Sequence, residues 1–523
     1  VVTTASDAAD AIDGDTSSLY ALLQNKGTDG QISLREAILA ANATANGSVL
    51  VHMDGTVSSV NTLAVRATAT DTSTANSTAA TGGIYAGAGS VARATTSPVV
   101  SAYLAGTVAA RTAVSVTATL TPKANATALG VSIGALAVGV SSATATVSPT
   151  VDAHAGGNIT APSLSVIATQ ALPGGGDSAN AKATGAAGAL IGVTATSATA
   201  INGSAGNQAR VTSYIADNSV LNITGDTTVF ANNNNKQRAE GNAASLAILA
   251  AGIASSRASS DTVTRSYLGN NVRLTGSSLN VTANGIDNNL ALTFAGSGGV
   301  AAGASASGST SNVSLTEATL GSGSAIQLST RGSGALAISA DHVATFNAQE
   351  ITVAGGVVAG AGVNIDHDVN ATVNAGIGNN ASVVARDVKI YATNHADKAW
   401  LAADNVKGTT GGLASAAGAY SDTRITFNTT TSVGSGTWLE VVGLPTATTT
   451  MELRARNDLS IQDKLTFLTG GAISGAGVNA RIRTLSDLAR VSIGDGATLL
   501  SKGAIDMSAR GSGSIVQKIN VDT

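Results

Sequence analysis

The sequence predicts an all-β fold: a parallel β-solenoid (β-helix) of about eight wide repeats, each about 55 residues long, with a short N-terminal helical cap. Three observations carry this expectation. The composition is rich in small, strand-prone and turn-prone residues, several marks recur at one period, and one amphipathic segment stands ahead of the first repeat.

Of the 523 residues 43% are hydrophobic, yet only 3% are aromatic and 11% charged. An average soluble domain is roughly 25% charged. The apolar character therefore comes from Ala, Val, Leu and Ile. Sixty glycines, with abundant Thr, Ser and Asn, favour strands and tight turns, because Thr and Val suit a pleated surface while Gly and Asn accept positive φ. The net charge of -4, without any Lys/Arg cluster, argues against electrostatic binding to nucleic acid or to anionic lipid. With no cysteine there are no disulfides and no thiolate metal sites. The longest apolar runs, residues 128–140 and 243–254, fall short of the ~18 residues that a membrane span needs. A chain that starts at Val1 without a signal-like segment reads as a mature product or a fragment.

The period comes from three marks in fixed order. A strand-end mark, apolar-x-Ala, closes at Ala67, Ala118, Ala168, Ala231, Ala283, Ala340, Ala392, Ala455 and Ala509, in steps averaging about 55 residues. An apolar residue entering a turn, mostly followed by Gly, precedes it: Leu104, Ile215, Leu268, Leu320, Ile377, Val433 and Ile493. A glycine pair opens a run of small residues at Gly82, Gly298, Gly355, Gly411 and Gly470. Each unit then reads as a long Ala/Gly strand, a shorter strand ending in the turn, and a strand such as "SLNVTA" with Leu279, Val281 and Ala283 on one face.

Stacking such units superimposes like residues into ladders. Asn270, Asn271, Asn379 and Asn380 fit this as turn residues that take left-handed geometry and stack amide on amide. The glycine pairs fit a sharp bend or a close approach of two faces, where a side chain would collide. Ala and Val, rather than Phe, would fill so flat a coil. One rung or two per unit both remain open. A string of β-sandwich domains would need more aromatic core and clear linkers than the sequence has.

The cap is placed at residues 1–55 and the solenoid at 56–523. In the cap Ser33 and Glu36 form a capping box, and Leu34, Ala37, Ile38 and Ala41 share one helix face. A helix of about ten residues is marginal alone, so this stripe must be buried against something, and the solenoid end is the nearest apolar surface. A calcium loop competes for the same residues. Asn25, Asp29, the Gln31 carbonyl and a bidentate Glu36 fall at EF-hand-like spacing, although Gly27 stands where a ligand belongs and Glu36 would have to serve both cap and metal. Asp13 and Asp15 could add ligands or act as helix N-caps.

The repeat unit resembles the degenerate repeats of giant bacterial filamentous adhesins, the leukotoxin-like and haemagglutinin-like surface proteins, over about residues 60 to 523. The resemblance implies an extracellular, elongated β-solenoid that acts as scaffold or adhesin. Separately, "GTDGQISLREAILAANAT", residues 27–44, resembles the segment that opens right-handed β-helices in many large bacterial surface proteins. That resemblance implies a helix lying across the first coil.

Other chemistry is sparse. "NIDHDVN" puts Asp366 and Asp368 on one strand face and His367 on the other, which suits a cation or simply a solvated face. His52, His154, His342 and His395 look unrelated in repeat phase. No nucleophile-elbow, P-loop or zincin motif is present. A polysaccharide lyase or hydrolase on a β-helix would need clustered Asp, Lys and Arg on adjacent coils, and here the charges look scattered. A flat Thr array for ice or polysaccharide would need T-x-T at one phase, and that phase wanders. N-x-S/T triplets such as the one at Asn280 arise by chance in Thr-rich strands.

The resulting expectation is a non-enzymatic, extracellular, cell-surface structural or adhesive protein. Polysaccharide binding or processing is the alternative, with a cell-surface or matrix polysaccharide as partner. "SIVQKINVDT" at the C-terminus aligns with residues 460–469 and stops where the next glycine pair would begin, while "VVTT" at Val1–Thr4 is strand-prone. Together they suggest self-association into a filament, the N-terminal segment of one copy completing the open coil of the next. For the N-terminal loop, a capping turn melts at one temperature in calcium and in chelator. A calcium loop melts higher in calcium, so thermal melts in the two buffers separate the readings.

Overall fold

A computed structural model describes residues 49–328, 334–399, 404–442 and 450–522. The N-terminal helix, the candidate calcium ligands and Val1–Thr4 lie outside these residues. The described chain is all-β: a single parallel assembly of 22 strands, starting with Val49–Thr96. As expected from the repeats, each coil hydrogen-bonds in register to the coil before and the coil after it.

The marks become columns. Ala67 pairs with Ala118, Ala118 with Ala168, and so on through Ala231, Ala283, Ala340, Ala392 and Ala455 to Ala509. Leu104 leads through Ala155 to Ile215, Leu268, Leu320, Ile377, Val433 and Ile493 in the same way. Every repeat is therefore one rung. The nine levels of the alanine column span about 38 Å at ~4.8 Å per level. The offset between coils varies from 50 residues (Ala113 to Ser163) to 63 (Leu164 to Thr227). The excess is taken up in loops such as 171–178, so the register of the strands survives.

Within a coil the strand division differs from the expected long strand, shorter strand and third strand of the "SLNVTA" type, which run together. Ala335–Ile377 is typical: 43 continuous residues that fold back on themselves at Gly355 and Gly356, followed by the short strand Ser382–Ala385 at the turn. Two long faces therefore stack against each other, joined by a bend at one edge and a turn at the other. Both halves alternate buried and outward residues, as a half-buried strand must.

The space between the faces tapers. Near the turn it holds Val, Leu and Ile, among them Val116, Leu164, Ile215 and Leu279. Near the bend the apolar contacts are alanine on alanine, as with Ala243, Ala254, Ala295 and Ala304. There the Ser132 hydroxyl donates to the Val138 carbonyl across the gap at 2.8 Å, and Ser90 reaches Ser77 O at 2.8 Å. Only side chains of that length fit.

The expectation that Phe is kept out of the core is wrong in the C-terminal half, where Phe346, Phe427 and Phe467 are fully buried. Space is made for Phe467 by a missing side chain: a Cβ on Gly408, its partner one coil before, would overlap the ring.

The turn also departs in part from expectation. Asn218, Asn271 and Asn380 take φ of 59°, 57° and 53°, and Gly323, Gly436 and Gly496 occupy the same place in other coils. Amide-on-amide bonding is found for Asn271 Nδ2 to Asn218 Oδ1 at 3.2 Å. Asn270 and Asn379 instead accept backbone N–H groups of the next coil, from Ser322 and Ser435 at 2.9 Å each. Those donors face back toward the coil before, and a side-chain oxygen there satisfies them better than an amide stack would.

The two glycines of a pair do different work. A Cβ on Gly356, Gly412 or Gly471 would collide with the carbonyl oxygen of the second glycine one coil before, whereas a Cβ on Gly355, Gly411 or Gly470 meets nothing within 4 Å. Gly356→Ala is therefore expected to lose about 1–3 kcal/mol, because a laddered carbonyl must move. Gly355→Ala should melt like the parent, and thermal unfolding of the two variants side by side checks this.

Candidate functional site

Residues able to do chemistry fall into three places: a polar seam between the two faces, an aromatic stripe on the outside, and the bend edge. The seam lies between the aliphatic and the alanine parts of the core. Its centre is Asp287, which accepts from Asn235 Nδ2 at 2.5 Å, from Asn312 Nδ2 at 2.8 Å and from the Thr262 hydroxyl at 3.1 Å. His342 Nε2 stands 3.0 Å from the same carboxylate, and its Nδ1 is 3.0 Å from Asn394 Oδ1. A hydrogen-bonded Asp–His pair is an arrangement that catalysis often uses. Here both side chains are inaccessible, and a buried pair persists because its remaining polar atoms are satisfied.

Further along the seam the groups are less evenly matched. The Lys398 ammonium lies 3.3 Å from Asp463 Oδ1, both fully buried, and the Ser421 hydroxyl donates to Asp463 Oδ2 at 3.0 Å. Burial pulls the Lys398 ammonium below its ordinary range, and the Asp463 carboxylate opposes that. His367 points inward and its Nδ1 is 2.6 Å from the Thr310 hydroxyl, while Asp366 and Asp368 point outward, as the alternation predicts. Burial, with the Lys398 charge adding to it, pushes the His367 imidazole well below its usual range. Asp366 pairs with Arg424 of the next coil at 3.5 Å. Among the described residues no group of three His, Asp or Glu side chains converges to hold a metal ion.

The aromatic stripe corrects the reading of the histidines. His52 and His154 share one outward column with Tyr103 between them, and Tyr214 and Tyr267 continue it. The five rings stack with centroids 4.5–5.1 Å apart and planes within 18° of parallel. His154 Nδ1 is 2.7 Å from Asp152 Oδ2. Burial in the stack and the Asp152 charge raise the Tyr214 phenol well above its ordinary range. Because ring faces cover one another, the stripe offers solvent edges and hydroxyls. The equal steps of 51 residues from His52 to Tyr103 to His154 were the sequence signal for it.

The bend edge is apolar on the outside. The residue after each glycine pair projects from the tip: Ile84, Val300, Val357 and Leu413, with Leu190 and Ile248 at the equivalent place, are 46–74% exposed. Beside the tip runs a shallow groove of about 330 Å³ lined by Ile191, Val193, Leu249, Ala251, Ala301 and Val358. No Asp, Glu, Lys or Arg occurs in the bend segments 124–151, 241–256 or 288–316. Charges elsewhere, scattered in sequence, pair across coils: Lys182 with Glu240 at 2.8 Å and Arg265 with Glu317 at 2.7 Å.

Comparison with protein-family models, with curated proteins and with solved structures gives no match to this chain.

Glu350 supplies a test of the seam. It is fully buried, its Oε1 accepts from the Thr293 hydroxyl at 2.9 Å, and it fills the space left by Gly308 on the facing strand. Burial raises its carboxyl well above the ordinary value of 4.5, with the Thr293 bond a smaller opposing effect. The folded state thus favours the neutral acid. That contribution is complete below the unfolded value and is lost as pH rises from there toward the raised native value. Glu350→Gln, which cannot ionise, should therefore lose less stability than the parent as pH rises above about 4.5, read as a gap in melting temperature that widens with pH.

Proposed function

We propose that this protein is an extracellular structural or adhesive β-solenoid, a subunit of a surface filament that extends along the coil axis. The observation that carries the reading is the in-register stacking itself: columns such as Ala67 to Ala509 run unbroken through every described coil, so each coil is a template for pairing with another. The fold supports the mechanical part of the reading as well, since backbone hydrogen bonds run along one axis through every coil. The histidines and acids of the seam, Asp287, His342, Glu350, His367 and Asp463, are buried away from solvent, which supports a structural part for them.

A polysaccharide ligand is the second reading, and the aromatic stripe favours it. Tyr hydroxyls and His nitrogens at one step per coil form a straight row of donors and acceptors along the axis, beside Asp54 and Asp152. In the filament reading the full chain forms fibres with a ~4.8 Å axial repeat by electron microscopy and fibre diffraction. Deleting residues 1–5 abolishes them while leaving the circular dichroism unchanged. Fibres of unchanged length from the deletion variant rule out strand addition by that segment. A parent that never forms fibres but co-sediments with a polysaccharide, and loses this with Tyr214→Ala, sinks the filament reading in favour of the second.

A further inference from the structure

We infer that the bend edge is a lateral association surface whose occupant is a second copy of this chain, packed side by side with the first. This contact is perpendicular to the axial one and independent of it.

Four features select that occupant. First, the backbone groups of the paired columns flanking the bend are engaged along the axis, so recognition here falls to side chains, and those are uncharged and mostly aliphatic. Second, the relief carries two knobs. Down the column of the first glycines the chain reads Gly82, Ile133, Gly188, Leu246, Gly298 and then Gly355, Gly411 and Gly470, with Ile133 63% and Leu246 70% exposed. A Cβ on Gly188 would meet nothing within 4 Å, so a hollow separates the two knobs. The two knobs, two coils apart, stand about 9.6 Å from each other. A partner must offer bulk and gaps at the same pitch, and another copy shifted by one coil does so with its own Ile133 and Leu246. Third, the groove beside the tip is open to the ridge of Val300, Val357 and Leu413 of a neighbouring copy. Fourth, the area suffices. Eight coils give a strip about 34 Å long and roughly 20 Å wide, on the order of 700 Å² per partner, close to the ~800 Å² per side of ordinary stable complexes.

A lipid surface fits less well. Interfacial proteins rim an apolar face with Trp, Tyr and basic residues. Here the strip is bordered mainly by Ser and Thr, such as Ser142, Thr144, Ser197, Thr199, Ser307 and Ser309, with Arg93 and Arg257 in the same columns and Tyr85 at the tip as the basic and aromatic groups beside it.

The absence of native cysteine makes the test direct. In the full chain Leu246→Cys should give a disulfide-linked dimer on mild oxidation, and Asn271→Cys, at the far turn edge, should not. Adding Leu190→Arg to Leu246→Cys should cut the cross-linked fraction at least tenfold while leaving the circular dichroism unchanged, since Leu190 is 56% exposed. Sedimentation should show lateral association weakened at least tenfold in Leu190→Arg with Leu246→Arg. The proposal is overturned if the Leu246→Cys variant stays monomeric and its thiol reacts freely with a maleimide. It is equally overturned if that thiol is shielded in a monomer, which would assign the strip to residues 1–48 of the same chain, or if the chain instead floats with phosphatidylcholine vesicles.

Discussion

The in-register hydrogen-bond ladder along the coil axis is the constraint on which the rest of this structure depends. It holds each residue about 4.8 Å from its equivalent in the next coil and so makes the column, not the residue, the unit of packing. A column of eight buried alanines from Ala67 to Ala455 is the simplest case, because equal side chains at equal spacing leave neither voids nor clashes. The distance between the two faces then sets what each column can contain. Near the bend a serine hydroxyl already touches the facing carbonyl, and near the turn there is space for leucine. Larger groups enter where another position gives up its side chain, as Phe467 does against Gly408 and Glu350 against Gly308.

The same constraint explains what could be read from the sequence. A column that demands one residue type writes that residue at every period, so the alanines, the turn aliphatics and the glycine pairs were legible, and their alignment gave the parallel coil. Columns that tolerate several types hid themselves. His52, Tyr103 and His154 alternate two residue types, and only their equal spacing linked them. The seam was harder still. Asp287 is satisfied by Asn235 one coil before, by His342 one coil after, and by Thr262 and Asn312 from the facing sheet. Two of those four contacts cross the gap between faces, whose separation no linear spacing records. The buried Phe467 was missed for a related reason, since its space depends on a glycine in another coil. In the glycine pairs, the close approach was anticipated, but the difference between first and second glycine follows from the direction of a single carbonyl.

On the outside, the ladder turns single residues into stripes. A charge placed on one strand meets its neighbour a coil away, and opposite signs are found there, as in Lys464 with Asp404 at 2.6 Å and Arg454 with Asp506 at 2.9 Å. Such exposed pairs contribute little to stability each, but they cancel the field that a column of like charges would create. The aromatic column is another stripe, held by parallel rings. At the bends within 124–151, 241–256 and 288–316 the stripe is aliphatic, and no charged side chain lies in those segments.

A stripe's strength grows with the number of coils, whereas contact at a coil end does not. Each coil added to the stack lengthens the bend edge by ~4.8 Å and so adds a constant increment of apolar area, while the rim where two stacks meet keeps one size. The translational and rotational cost of association is incurred once per partner. A stack of two or three coils therefore gains too little from its edge to pair side by side, and a stack of eight approaches the area of an ordinary stable interface. Repetition that began as a solution to packing thus sets a threshold length for lateral association, with the glycine bend keeping the edge thin enough for its tip residues to project.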